Sequence, residues 1–547
     1  MNLKNIDLES IINKHFPYDT YNPGQYKAIH DSVLSILSNK KHTVLSCPTG
    51  VGKSVIGMTI HNVLEELSDT KHETVILATT KGLQDQYNKD FPDLLDLKGK
   101  SNYFCHYTIK EGYNSPKCVE KIKSNQCGKD RCPYVIARDS WTAHEGSKTT
   151  NSAMMIASHI VQHDEPVQLC IVDECHEIDK VVIAQSAISF MVDDYPECSK
   201  YYSDFRNSYY DIINLIKTKL PDSGSFKTVE QFSDEDRQRL DAYSNHMQVT
   251  LKRVSDGLST NPNDYKFVII SQELADLIQK LEYRVGPFYS PLEWVLDVLT
   301  EVEETIRMTP IKSSGVLANN KLFNKGEKFL HMSATIGGFE TYCSNLGLRE
   351  EDTNYIEIDN PIPLANRKIV LTNLTKMNRF TDVHDITKAL QPIIEKEKGN
   401  GIIHTVSFKL ANDIYYNMPY HIKKRMLVSN NRKEILELLS RKSDAIILSP
   451  SVETGYDFKD DLARWQIIAK VPFLNLGDNY TKTRMNKSNN WYVREAVLRI
   501  VQSCGRIVRG MNDYGTTYII DENILRIITS NTSMFPSWWL DALEMED

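Results

Sequence analysis

The stretch "HTVLSCPTGVGKSVIGMTIHNVLEEL" constrains the fold of this chain more tightly than any other. A short β-rich run, Thr43 to Leu45, meets a Pro/Gly turn, and an amphipathic helix follows. In the core "TGVGKS", Gly50 and Gly52 stand where backbone N–H groups would approach phosphate oxygens with no side chain intervening. Lys53 then reaches the β- and γ-phosphates, and Ser54 can ligand Mg²⁺ at the helix N-terminus. Thr49 and Val51 complete the loop. Cys47 replaces the first glycine of G-x-x-x-x-G-K-[ST], a departure at one position. Strand, phosphate loop and helix in this order point to a nucleotide site in an α/β fold.

Such a site needs an acidic partner at the end of a buried parallel strand. "QLCIVDECHEI" supplies it: an apolar run from Leu169 to Val172 leads into Asp173-Glu174-Cys175-His176. Asp173 is expected to hold Mg²⁺ and Glu174 to orient and activate the attacking water. His176 would relay the nucleotide state to neighbouring segments. "NWYVREAVLRIVQSCGRIVRG" reads as one helix that places Gln502, Arg506 and Arg509 at i, i+4 and i+7, on a single face. Two arginines held there could contact a γ-phosphate across a cleft. Three more strands end in short polar loops: "KFLHMSATI" at Ser333-Ala334-Thr335, "GNGIIHTVSF" at Thr405, and "AIILSPSVETGYDFKDD" at Thr454-Gly455 with Asp457 close behind.

This order of motifs resembles the superfamily 2 helicases, and within them the iron–sulfur XPD/DinG-like group. The resemblance covers most of the chain in register. It implies two RecA-like parallel-sheet motor domains that sandwich ATP and ratchet along a single DNA strand, 5′→3′ in this group. Gln25 in "YNPGQYKAI" sits where the family reads adenine, with Asn22 at a position where arginine is usual. Gly455 and Asp457 would join the nucleotide site. "LATTKGLQDQY", with Thr79, Thr80, Leu83, Gln84 and Gln86, looks like the first strand-contacting motif, and Thr405 and Thr454 would contact DNA from the second domain. "MIASHI" (Ser158, His159) resembles an element just before the acidic box, and "VPFLNLGD" (Val471 to Asp478) a loop of the second motor domain.

Two insertions interrupt the first motor. From Lys98 to Arg138, nine Lys/Arg face three Asp/Glu, and Cys105, Cys118, Cys127 and Cys132 cluster at gaps of 12, 8 and 4 residues. Core cysteines, a zinc site and an iron–sulfur cluster all fit four thiols, although zinc ordinarily shows two close C-x₂₋₄-C pairs and only Cys127–Cys132 approximates one. "RCPY" (Arg131 to Tyr134) resembles the family's closing cluster motif, which implies a [4Fe–4S] cluster, with zinc as the alternative. Lys110, Lys121 and Lys123, interleaved with Tyr113, could track phosphates and stack bases. In the second insertion Leu240, Tyr243, Met247, Leu251, Val254 and Leu258 recur at helical spacing, and the region looks like the helical arch of XPD-type enzymes. The expected division is residues 1–98, 139–179 and 316–360 for motor domain 1, 99–138 for the cluster insertion, 180–315 for the arch-like insertion and 361–547 for motor domain 2. "DNPIPLANRK" (Asp359 to Lys368) is the linker between motors.

Composition sets the frame. A 547-residue chain exceeds what one hydrophobic core supports, and 41% hydrophobic with 25% charged residues is ordinary for a globular protein. The start "MNLKNIDLES" lacks the apolar core of a signal peptide, and no stretch reaches the roughly 20 apolar residues of a membrane span. A cytoplasmic, reducing compartment and no membrane partner are therefore expected, which disfavours disulfides. The expectation is an ATP-dependent DNA helicase acting as a monomer on single-stranded and forked DNA. A DNA-stimulated translocase that separates no strands, and a non-motor nucleic-acid-binding protein, are the alternatives.

Overall fold

The computed structural model describes residues 6–99, 102–103, 133–157, 166–191, 203–219, 225–227, 232–260, 293–299, 305–313, 321–378, 380–450, 458 and 460–546. Its first sheet contains β1 (His42–Ser46), β2 (Thr74–Ala78), β3 (Leu95–Leu97), β4 (Ser147–Asn151) and β5 (Val167–Asp173). After the second insertion, which holds β6 to β9, come β10 (Gly326–Ser333) and β11 (Thr353–Glu357). The order is β11-β1-β10-β5-β2-β4-β3, every pairing parallel. A sheet buried on both faces needs apolar residues on both sides of each strand, and these strands supply them. Val44, Val75, Leu77, Cys170, Val172 and Phe329 enter one core, while Leu45, Ile76, Leu169, Ile171, Leu330 and Met332 enter the other.

The second sheet has β12 (Ile369–Thr375), β13 (Gly401–His404), β14 (Met426–Val428), β15 (Ile446–Ser449), β16 (Trp465–Ile468), β17 (Thr516–Asp521) and β18 (Leu543–Met545). Its order is β14-β15-β13-β16-β17-β12-β18, again all parallel. The segment Asp359 to Lys368 passes from β11 in the first sheet to β12 in the second, with one 3₁₀ turn at Leu364–Asn366. Two doubly covered parallel sheets joined in this way are the α/β, two-motor architecture expected from the motif order.

The second insertion departs from the helical expectation. Its helices, Ser203–Lys219 and Asp234–Thr260, accompany a four-stranded antiparallel sheet of β6 (Ile188–Met191), β7 (Ser225–Lys227), β8 (Glu293–Leu299) and β9 (Thr305–Pro310), in the order β6-β9-β8-β7. The six periodic residues do lie on Asp234–Thr260. β6 finds β9 more than a hundred residues later, and β7 finds β8 across another long stretch, so local periodicity carries no sign of these pairings.

Polar residues are buried within the sheets as well. His42 on β1 meets His331 on β10 through Nδ1 and Nε2 at 3.1 Å, and the other His331 nitrogen meets the Tyr342 hydroxyl at 2.9 Å. Burial pushes His331 down to about 3, and burial followed by the neighbouring His331 and Lys41 takes His42 to about 2. His61, His72 and His404 are each lowered to about 4, chiefly by burial. An unfolded chain protonates these rings near 6.5, whereas the folded chain keeps them neutral. Their contribution is full above that value and is lost as pH falls below it. The unfolding temperature is expected to drop steadily between pH 7 and pH 4.5 in a calorimetric series, and a flat profile would contradict this reading.

Candidate active site

The loop after β1 closes on helix α1 (Lys53–Leu67), whose start at Gly52 has no side-chain cap. Gly50 and Gly52 take φ values of +90° and +93°. A Cβ on Gly50 would lie 2.8 Å from the Arg509 carbonyl oxygen, and one on Gly52 would lie 2.8 Å from Gln25 Nε2. Both conformation and space therefore demand glycine here. Uncapped N–H groups at a helix start favour an anion. Lys53 Nζ lies 3.5 Å from Glu174 Oε1. Burial opposes its charge, but Glu174 and Asp173 outweigh burial and hold the ammonium above its ordinary value. Cys47, in place of the usual glycine, is a buried thiol raised to about 12 by burial, and its N–H donates to the Ser333 carbonyl at 2.8 Å.

β5 delivers Asp173 and Glu174 beside that lysine. Asp173 is 1% exposed; it accepts from the Glu174 N–H at 2.9 Å and from the Tyr87 hydroxyl at 2.9 Å. Burial first, then the Glu174 charge, raises it to about 6. Tyr87, on helix α2 (Lys81–Asp90), also has the Ser54 hydroxyl beside it. The two residues expected to hold Mg²⁺, Ser54 and Asp173, thus share one tyrosine. A divalent cation fits this donor set, because it would relieve a buried carboxylate that lacks full compensation.

Glu174 occupies the left-handed region at φ 51°, rare for a residue with a side chain. That turn swings its carboxylate to Lys53, to within 3.4 Å of the Ser333 hydroxyl and 3.4 Å of His176 Nδ1. Burial raises its affinity for a proton, but Lys53, His176 and Arg506 prevail and keep it ionised below the usual carboxylate value. His176 bridges three motifs: Nδ1 meets Ser333 Oγ at 2.8 Å, and Nε2 meets the Gln502 amide. The relay expected of His176 has a physical path across the two sheets.

The arginines require a correction. Helix α3 (Ile178–Ser186) follows the acidic box, and in the second unit α4 (Asn479–Lys487) precedes α5 (Asn489–Cys504). Gln502 lies in the last turn of α5, but the helix stops at Cys504, so Arg506 and Arg509 occupy the loop beyond it. Gly505 ends the helix, and Ile507 and Val508 turn into a separate core with Ile402, Ile435 and Ile447. The arginines nonetheless face the site: the Arg506 charge acts on Glu174, and Arg509 acts on Lys53. Asp513 fixes their loop by accepting from the Arg509 N–H at 3.1 Å and from Arg464 Nη1 at 2.8 Å.

Other expected residues divide sharply. Gln25 is buried and lies against Gly52 while accepting from the Asn22 N–H at 3.0 Å. Asn22 reaches the Val51 carbonyl at 3.4 Å, so the residue in the arginine position supports the phosphate loop. Gln84, expected to contact DNA, is turned inward here: it is 0% exposed, and its amide donates to Asp96 and to the Leu97 carbonyl at 3.0 Å. Thr405 is also buried, with its hydroxyl turned back to the Ser407 carbonyl at 3.3 Å. Thr80 is exposed and caps α2, and Thr79 is half-buried beside it. Cys105, Cys118, Cys127, Cys132, Lys110, Tyr113, Lys121, Lys123, Ser158, His159, Thr454, Gly455 and Asp457 lie outside the described residues. Among the described residues no metal-binding group of His, Cys, Asp and Glu occurs, and no helix is long and apolar enough to cross a membrane.

Sequence reasoning missed Tyr87, Asp513 and Arg494. Tyr87 reads as an ordinary apolar helix residue, and buried Arg494 as part of a solvated helix face. Asp513 alone carried a local signal, since it follows Arg509 by four residues.

With that geometry in place, comparison with known proteins is direct. Residues 390–542 match the helicase C-terminal domain family, and residues 19–217 match the family described as type III restriction enzyme, res subunit. An ATP-dependent DNA helicase YoaA of Haemophilus influenzae is 20% identical over 90% of both chains. Over most of its length the chain is thus similar to ATP-dependent DNA helicases of the kind its motif order resembles, the XPD/DinG-like group of superfamily 2. An ATP-dependent DNA helicase DinG of Photobacterium profundum is 22% identical over 41% of this chain and 36% of its own. The solved structure of Xpd4 from S. tokodaii superposes with a TM-score of 0.56 at 13% identity, covering 96% of this chain and 99% of that one. It shares the fold. Were Glu174 to take a proton from water in such a motor, Glu174→Gln would leave ATP binding intact while slowing turnover by about 10²–10⁴-fold. Equilibrium nucleotide binding beside steady-state phosphate release checks this, and loss of binding in step with turnover would contradict it.

Proposed function

We propose that this chain is an ATP-dependent DNA helicase that travels along single-stranded DNA, 5′→3′, and separates duplexes. The observation that carries this reading is the shared site between the sheets. Lys53, Asp173 and Glu174 come from the first unit, while Gln502, Arg506 and Arg509 reach them from the second. A γ-phosphate placed there would have cations from both sides, so hydrolysis would weaken the attraction holding the units together. Bound Mg²⁺, held by Ser54 and Asp173, would neutralise phosphate charge as it develops. The chain's own parts do the rest: Lys53 holds the terminal phosphates, Glu174 orients water and accepts its proton, and the loop of Arg506 and Arg509 closes over the leaving charge. Repeated closing and opening moves a strand across the two units.

The four cysteines at 105, 118, 127 and 132 would hold a [4Fe–4S] cluster that shapes a segment too short and too polar to fold on its own. Strands would part against that segment, with its lysines on the phosphates. Duplexes bearing a 5′ or a 3′ single-stranded tail test the activity, with ATP turnover measured on the same samples. Displacement from the 5′-tailed substrate alone, lost in Lys53→Ala, is expected; ATP turnover without displacement would make the chain a translocase. Protein purified without oxygen should show a visible thiolate–iron absorption that Cys127→Ser removes. Colourless protein with stoichiometric zinc would overturn the cluster.

A further inference from the structure

Beyond Gln502, helix α5 grips the first motor unit at a second place. Arg494 is 1% exposed, and its Nε donates to the Ile336 carbonyl at 2.9 Å. Its guanidinium lies 5.8 Å from the centre of the Tyr342 ring. Gly337 adopts φ +67°, and a Cβ there would lie 2.6 Å from Arg494 Cγ. The glycine therefore leaves a seat shaped for this arginine. The adjacent Glu495, also 1% exposed, accepts from Arg494 Nη1 at 3.4 Å and from Lys180 at 2.9 Å. Lys180 belongs to α3, four residues after His176. The residue before Lys180, Asp179, pairs with Arg484 of α4 at 2.7 Å, and both are buried. A fully buried arginine with a carbonyl partner from the opposite unit is costly unless its geometry is held, and this one is held from three sides.

These contacts close a ring. Ser333, at the end of β10, takes the hydrogen bond of His176 and offers its carbonyl to Cys47 of the phosphate loop. Three residues later the same segment offers Ile336 to Arg494. Eight residues along α5, about 12 Å at the helical rise, Gln502 returns to His176. The helix is therefore docked at two points, Ile336 and His176, both joined to Ser333, and Arg506 and Arg509 follow its second end.

We infer that Arg494 is a positioning residue for ATP hydrolysis: seated on Gly337 and Ile336, it sets the tilt of α5 and so delivers Gln502, Arg506 and Arg509 to the nucleotide. This rests on the motor reading above, but it assigns a residue outside the nucleotide-contacting set. Arg494 does not touch the phosphate loop, so ATP affinity is expected to stay within about twofold in Arg494→Lys, which keeps the charge and removes the planar donor fork. Maximal ATP turnover with saturating single-stranded DNA is expected to fall about tenfold or more, in the usual range of coupling between sites. Gly337→Ala, which fills the seat from the other unit, should reproduce this split of kcat from KM. Combined with Gln502→Ala, Arg494→Lys should cost less than the product of the two separate effects, because both act through the docking of one helix. Melting temperatures within a few degrees of wild type keep the comparison to folded protein, and Gly337→Ala supplies the test if Arg494→Lys does not fold. Unchanged turnover, ATP affinity falling in step with turnover, or multiplicative effects in the double variant would each overturn the inference. Wild-type protein with no DNA-stimulated turnover would instead defeat the motor reading.

Discussion

Lys53 lies beside two carboxylates, Asp173 out of water and Glu174 partly exposed, and the cleft is organised around keeping that group charged. An ammonium and two carboxylates are expensive to bury unless their partners are fixed in advance. Here β1 and β5 bring them together, with β10 between the two strands supplying Ser333. Asp173 is pushed up to about 6, chiefly by its burial and by Glu174. A carboxylate disfavoured first by burial would gain from a cation beside it. The Gly50 and Gly52 turn and the open start of α1 wait for the anion. In the proposed motor, charge on both sides of the phosphate would make substrate binding and site assembly the same event.

The second unit enters that balance through loops and helix ends. Arg506 favours ionised Glu174, whereas Arg509 opposes the charge of Lys53. In the proposed motor, an anion between Lys53 and Arg509 would offset that opposition, so closure would depend on nucleotide. The second insertion shares the seam. Asn479 at the start of α4 donates to the Leu296 carbonyl at 2.9 Å, the Tyr480 hydroxyl to Pro310 at 3.2 Å, and Lys487 pairs with Glu293 at 3.1 Å. The small antiparallel sheet is thus tied to the helix pair that leads into the arginine loop.

Much of this was legible in the chain because it is local. A phosphate loop is a strand end, two glycines, a lysine and a helix start within a dozen residues, and apolar runs bounded by turns announce parallel strands. What was not legible depends on partners far away in sequence. Gln84 has the look of a strand contact, yet Asp96 and Leu97 claim its amide. Arg494 resembles any charged helix residue until Ile336 and Gly337 are placed beside it. The helix carrying Gln502 was extended too far because Ile507 and Val508 continue an apolar rhythm while packing into a different core. The antiparallel sheet was hidden for a related reason, since β6 and β9 have no local evidence of one another.

The claim at the centre is that nucleotide and DNA draw the two units together through the shared charge cluster. Fluorescent labels carried by non-natural residues at exposed Glu145, in the first unit, and Lys442, in the second, would report the separation by energy transfer. Addition of a non-hydrolysable ATP analogue with single-stranded DNA should raise transfer in the wild type and leave it unchanged in Arg509→Ala. Equal transfer with and without nucleotide, or an identical rise in Arg509→Ala, would contradict the account.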